Sequence, residues 1–232
     1  MSESGRRALM RAGARSIMFN APMGVERGEA LADFCASNGT SVLDVGCGHG
    51  ELALLIADRH PHLEVSGLDI DPEAVAGAQQ RVEARGLADR VTISVGDGAE
   101  WSEAADTAVC IGASHALGGT ASMFGRLLPL GRRAAVVGEG FWTSSPSEEL
   151  LDIFGDQPDG IAGLGELATS ASWSLVAADA STLDEWDAFE NGWTAGVRAV
   201  GSPEAIAFAD ERAAEYPAYR GVLGFGWLHL TR

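Results

Sequence analysis

Two hydrophobic rhythms alternate along the first two thirds of the chain. Dense apolar runs occur at Ser41–Val45 (SVLDV), 63–68 (LEVSGL), 90–95 (RVTISV), 107–111 and 132–138 (RRAAVVG). Runs this short, rich in β-branched residues and lacking polar alternation, predict strands covered on both faces. The intervening segments carry apolar residues at helical spacing: Leu52, Leu55 and Ile56, then Val75, Ala78 and Val82, then a short stretch over 123–128. Strand and helix in strict repetition predict a mostly parallel sheet with helices on both faces. Helix boundaries are also written in the sequence. Asp71-Pro72 offers an N-cap and a first-turn proline, Asn38-Gly39 and Gly86 stop two helices, and Thr182 with Glu185 fits a capping box.

The rhythm changes at both ends. Residues 1–20 read as a short helix or arm ending in Ile17, Met18 and Phe19, followed by a turn at Asn20 and a helix from about Val25 to Ser37. Beyond 142, two short helices over 147–154 and 161–170 precede a sixth strand over 173–178. A longer helix then places Trp186, Phe189, Trp193 and Val197 on one face, a second runs from Ser202-Pro203 to about 216, and 221–230 reads as a last strand. The chain of 232 residues is long enough for one such domain with a sizeable core.

The chemistry starts at Asp44-Val-Gly-Cys-Gly-His-Gly50. Gly46, Gly48 and Gly50 follow the first strand and open a helix. Glycines there allow a sharp turn and close approach of a ligand, and the helix N-terminus presents free N–H groups. The spacing is GxGxG, not the GxGxxG of a dinucleotide turn. Asp69 ends the second strand about 20 residues later, where an acidic side chain suits ribose hydroxyls. The bland alternative for this DID segment is helix capping by Asp71; binding by Asp69 and capping by Asp71 are compatible. Asp97 lies after the third strand in Gly96-Asp-Gly-Ala99, a sequence that could equally be an ordinary turn.

Taken together, DVGCGHG, LDID and the acidic end of the third strand resemble the motifs of class I S-adenosylmethionine (SAM)-dependent methyltransferases. The motif likeness covers roughly 40–142. The resemblance implies a Rossmann-like sheet of seven strands, the last antiparallel and inserted between the fifth and sixth, with an N-terminal helical arm. It divides a single domain into a helical cap (1–38), a SAM-binding core (40–142), acceptor-pocket insertions and helices (143–220) and the last strand (221–232). It implies a cofactor site of Asp44, Gly46, Cys47, Gly48, Gly50, Asp69, Ile70, Asp97, Gly98, Ala99, Ile111 and Gly112. Asp44 would support the glycine loop and the methionine ammonium, and Asp97 the adenine amine.

Methyl transfer from a sulfonium is an in-line displacement, so orientation and exclusion of water dominate, and an oxygen or nitrogen acceptor can also need a base. His115, in the loop after the fourth strand, and Glu139, at the end of the fifth, are the candidates. Each has a structural alternative, as a loop-shaping histidine and a solvated turn carboxylate. Phe19, Trp142 and Tyr219, expected in loops or element ends over the rim, are candidates for an aromatic acceptor wall. Trp186, Phe189 and Trp193 are expected mainly in the core. No metal site is expected, because the five histidines fall in separate contexts and His60-Pro-His62 reads as a surface loop.

Composition narrows the partner. The net charge of −17 disfavours a phosphate backbone, so a small-molecule acceptor is expected and nucleic acid is not. Three dispersed cysteines argue against a disulfide scaffold and for a reducing cytoplasm. No apolar run reaches the roughly 18 residues of a membrane span, the N-terminus lacks the apolar core of a signal peptide, and no membrane contact is expected. Monomer and homodimer both stand. The rival readings are an NAD(P)-dependent oxidoreductase on the same core, a SAM-binding protein without methyl transfer, and a methyltransferase for a quinone-like lipid.

Overall fold

A computed structural model describes residues 1–232. The sheet has seven strands: β1 (Ser41–Val45), β2 (Glu64–Asp69), β3 (Val91–Val95), β4 (Ala105–Ile111), β5 (Gly131–Trp142), β6 (Ser174–Ala180) and β7 (Leu223–Thr231). Their order is β3-β2-β1-β4-β5-β7-β6. The first five are parallel, and β7 is antiparallel to both β5 and β6. The Rossmann-like sheet and the inserted antiparallel last strand match the expectation from sequence. Crossover helices α3 (Glu51–Arg59) and α4 (Pro72–Ala84) follow β1 and β2, and α5 (Thr120–Leu127) follows β4 after a 3-10 turn at Ser114–Leu117. Helix α2 (Val25–Ser37) packs beside α3, whereas α6 (Glu148–Phe154) and α7 (Gly160–Ser170) occupy the excursion between β5 and β6.

The central strands are buried because both sheet faces are covered. Val42, Val65 and Val136 face one apolar layer with Ile56 and Leu63. Leu43, Ala135 and Val137 face the other with Met123, Phe124 and Leu127. The inner parallel strands β1 and β4 expose no side chain fully to water, which is why they appear in sequence as dense apolar runs, whereas β2 and β3 nearer the sheet edge carry exposed residues.

β5 departs most from its sequence-predicted span. It runs to Trp142 instead of ending at Gly138, because β7 pairs with it as far as Trp142 opposite Leu223. Glu139, Gly140, Phe141 and Trp142 are therefore sheet residues and not a rim loop. Helix α9 (Pro203–Tyr219) also outruns expectation, continuing through Pro217 and carrying Tyr219 in its last turn. A proline this close to a helix end frees few carbonyls.

A third layer lies above the carboxyl edge of the sheet. Helix α1 (Glu3–Arg15) packs on α8 (Leu183–Arg198), which packs on α9. Glycine makes the α1–α8 contact close: a Cβ on Gly196 would run into the Ser16 side chain, and one on Gly13 into the Trp193 indole. Arg11 ties the other side of α1 down, donating from Nε to Asp71 Oδ2 at 2.6 Å and from Nη2 to Asp71 Oδ1 at 3.0 Å. Asp71 is the N-cap of α4 and accepts from the Glu73 N–H.

Gly196→Ala is expected to destabilise the protein by about 1–3 kcal/mol through overpacking, outweighing the roughly 1 kcal/mol by which Ala favours a helix over Gly. Urea unfolding measures the loss, and amide exchange should rise first in Glu3–Arg15.

Candidate functional site

The carboxyl ends of β1, β2, β3 and β4 open into a cavity of about 780 Å³ roofed by α1, α8 and α9. Its floor is the glycine turn. Gly46 has φ 78° and Gly48 φ 53°, both in the left-handed region, where a side chain is strained. Close packing adds a second reason at Gly46, since a Cβ there would meet that of Ala113. The turn is pinned by Gly46 N–H and Cys47 N–H, which both donate to the Leu68 carbonyl, at 2.8 and 3.0 Å.

Asp44 and Asp69 sit on this floor with opposite hydrogen-bonding situations. Asp69 is half-buried; its Oδ2 accepts from Gly48 N–H at 2.8 Å and its Oδ1 from Asp71 N–H at 2.9 Å. Each oxygen keeps a second lone pair for a hydroxyl donor. Asp44 is 4% exposed and lines the cavity, yet its carboxylate makes no hydrogen bond within the protein. Burial, and then the nearby Asp69 charge, push its pKa up to about 7. A cation placed against it would relieve that cost. The same burial, with Asp44 and Asp69 adding to it, raises the Cys47 thiol far above its ordinary value, so Cys47 is no thiolate nucleophile.

The rest of the rim suits a nucleoside. Ile70 is 70% exposed, an unusual state for a large apolar side chain, and it faces the cavity together with Asp97, Gly98 and Ala99. Asp97 Oδ1 accepts from Ala99 N–H at 2.9 Å, which orients the carboxylate. Ile111 and Gly112 close the side nearest β4. Asp44, Gly46, Cys47, Gly48, Asp69, Ile70, Asp97, Gly98, Ala99, Ile111 and Gly112 all line one cavity, while Gly50 serves as the N-cap of α3 just beneath it.

The acceptor-side candidates divide. His115, exposed on the 3-10 turn, and Phe19 line the cavity. Glu139, Trp142 and Tyr219 do not, and this corrects the sequence reading. The antiparallel partner β7 draws the end of β5 into the sheet. There Glu139 is buried, with Oε1 accepting from Gly140 N–H and Oε2 unpartnered. Trp142 and Tyr219 both pack edge-on to Phe154, inside the core. The excursion over 143–180 contributes nothing to the cavity; of residues 143–220 only Phe189, Trp193 and Arg212 reach it.

Those three, with Met10, Met18 and Met23, form the wall that sequence reasoning missed. Phe189 and Trp193 lie on the face of α8 read as core. That face is shared between core and cavity, and a 3.6-residue period cannot separate the two. His49 also lines the cavity, and burial, then the Arg81 and Arg15 charges, hold its pKa below the ordinary value. His229 is half-buried and stacked on Phe34 with ring centroids 4.4 Å apart, away from the cavity. No group of three or more His, Cys, Asp or Glu side chains is placed to hold a metal ion. No helix is long and apolar enough to cross a membrane.

An unpaired buried carboxylate for a cation, a second carboxylate for hydroxyls and an exposed apolar side chain for a planar base define a site of the SAM-binding type. Known proteins agree. Residues 42–127 match the family described as "Methyltransferase domain". The structure superposes, with a TM-score of 0.84 and 26% identity, on a SAM-dependent methyltransferase from Geobacter sulfurreducens in complex with S-adenosyl-L-homocysteine (SAH), covering 97% of this chain and 98% of that one. Methyltransferase ungE' of Aspergillus campestris is 28% identical over 169 residues, 66% of this chain and 47% of that protein. A tRNA1(Val) (adenine(37)-N6)-methyltransferase of Porphyromonas gingivalis is 33% identical over 88 residues, 38% of this chain and 32% of that protein. The chain thus spans about half of the first curated relative and a third of the second. In fold, matched domain and site the chain is similar to class I SAM-dependent methyltransferases, and the SAH-bound likeness marks SAM as the cofactor.

In the ligand-free protein Asp44 keeps its proton up to about pH 7, whereas an unfolded Asp loses it near pH 3.9. The folded state therefore binds more protons between those values, and stability falls as pH rises through the window. Asp44→Asn removes this slope, worth on the order of 4 kcal/mol. Urea unfolding of both proteins at pH 4 and pH 8 should show the variant gaining on the wild type at the higher pH.

Proposed function

We propose that the protein transfers the methyl group of SAM to an oxygen or nitrogen of a small-molecule acceptor. The observation that carries this reading is the continuity of the cavity. One continuous cleft runs from the Asp44–Asp69 floor to a wall of Met18, Phe19, Phe189 and Trp193. A cofactor held at the floor would meet an acceptor held at the wall without crossing bulk water. The volume of about 780 Å³ falls within the usual range of small-molecule sites.

When bound, SAM supplies an activated methyl on a cationic sulfur. The chain's own residues supply the rest. Asp44 would hold the ammonium, a cation that favours the ionised carboxylate over the protonated form. Asp69 would accept hydrogen bonds from the ribose hydroxyls. Ile70 would cover one face of the adenine, and Asp97 would accept from its exocyclic amine. The glycine turn brings backbone rather than side chains against the cofactor. His115 would take the acceptor's proton as the acceptor's lone pair bonds to the methyl carbon, the carbon–sulfur bonding pair leaving with the sulfur as SAH.

A small acceptor is favoured over nucleic acid by charge and by the walls. The net charge of −17 repels phosphates, and apart from Arg212 the acceptor end is formed mainly by apolar side chains. The tRNA-modifying relative matches only 88 residues, too few to include both roof helices α8 and α9 along with the core.

Asp69→Ala is expected to reduce SAM binding by at least about 100-fold, judged from two or more charge-assisted hydrogen bonds lost. His115→Ala should bind SAH as the wild type does and lower turnover about 100-fold, the lower range of general base catalysis. Calorimetry with SAH, and release of SAH from SAM in the presence of acceptor, measure the two effects. Unaltered SAM binding by Asp69→Ala would overturn the cofactor placement.

A further inference from the structure

Arg212, on α9, is the cationic side chain at the acceptor end of the cavity, and its guanidinium is unusually constrained. Nε donates to Glu190 Oε2 at 2.7 Å and Nη2 to Glu190 Oε1 at 2.8 Å. Glu190 lies on α8 with its side chain only 4% exposed, whereas the Arg212 side chain is 29% exposed. The guanidinium carbon sits 4.0 Å from the centre of the Trp193 ring, and the Phe189 ring lies 5.8 Å away. Two hydrogen bonds and a stacked indole leave the guanidinium no freedom to rotate or tilt.

A guanidinium carries five N–H donors and two forked edges. Glu190 occupies the side edge, formed by Nε and one N–H of Nη2. The end edge, formed by Nη1 and the second N–H of Nη2, has no protein partner. Its spacing is the one that carboxylates match with two parallel hydrogen bonds. The other arginine of the cavity, Arg11, is spent on Asp71 and Glu73. A simple structural ion pair would account for the Glu190 contacts. It does not account for a held fork with a free edge in the wall of a cavity whose opposite end carries Asp44, Asp69 and Asp97.

We propose that Arg212 anchors a carboxylate on the methyl acceptor, so that the substrate class is small organic acids with an apolar body lying against Phe189 and Met18. This rests on the acceptor end of the cavity being the substrate site, as set out above. Glu190 is the positioning residue: it fixes the plane of the fork without touching the acceptor.

The test uses SAH-loaded protein and matched acid–amide probes, 4-hydroxybenzoate against 4-hydroxybenzamide and hexanoate against hexanamide, titrated by calorimetry. The wild type is expected to bind each acid at least about tenfold more tightly than its amide, the scale of one charge-assisted hydrogen bond gained. Arg212→Lys keeps a cation beside Glu190 but has no fork, and it should lose that preference. Should Arg212→Lys fail to fold, the paired variant Glu190→Leu with Arg212→Met leaves no unpaired buried charge and should show the same loss. Acids that do not bind, or that bind no better than amides, would overturn the proposal, as would a preference that survives in both variants. Failure of the wild type to bind SAH would strike the cofactor reading instead, so the two are told apart in one series.

Discussion

A carboxylate is buried near the end of the inner strand β1 without a hydrogen bond, and much of this structure depends on tolerating it. Asp44 lies between neighbours that the fold cannot move, since β1 is paired on both sides, with β2 and β4. Elsewhere the protein treats half-buried acids differently. Burial pushes the pKa of Glu185 up as well, but Arg27 and the N–H groups of Gly24 and Thr182 outweigh it and hold Glu185 at about 2. No such partner reaches Asp44. Leaving a polar group unpaired costs about 1–3 kcal/mol, more if it is ionised. The ligand-free protein lowers that cost by keeping the proton. A cationic ligand lowers it further, so the folded state carries in advance part of the binding energy that the cofactor recovers.

The strand ends carry this function because they are fixed by backbone pairing. Asp44, Asp69 and Asp97 are each set at or just past the end of β1, β2 and β3, and parallel pairing brings those ends to one rim. Their positions in space follow from position in sequence, which is why a reading along the chain brings these three carboxylates to one cavity. The same logic explains the failure at β5. Glu139 and Trp142 were placed on the rim by counting along a parallel strand. The antiparallel β7 arrives from 80 residues downstream and extends β5 by four residues. No local pattern near 139 announces that pairing.

Tyr219 was misplaced for a related reason. Its surroundings are set by the continuation of α9 through Pro217, where local rules favour a stop. The aromatic periodicity of α8 was read correctly as one face, but one face serves two masters here. Trp186 lies in the core against Tyr219, with ring centroids 6.2 Å apart. Trp193, two turns on, backs onto α1 and borders the cavity. Which neighbour a helical stripe meets is decided by tertiary packing.

The two ends of the cavity are thus built on different principles. The floor is a rigid sheet edge where main-chain N–H groups hold Asp69 and Asp97 and strand pairing alone fixes Asp44. The roof consists of helices α1, α8 and α9, joined by close glycine contacts and the Arg212–Glu190 ion pair and tied to the N-cap of α4 by Arg11–Asp71. Side-chain contacts between helices tolerate replacement more readily than strand pairing does, because a changed residue shifts one contact rather than the register of a sheet. Methionines at 10, 18 and 23 add adaptable apolar surface at that end. A fold divided this way can retain one cofactor while its acceptor changes. It also accounts for the pattern of likeness to other proteins: the family match over 42–127 follows the rim, while the helices that shape the acceptor end lie outside it.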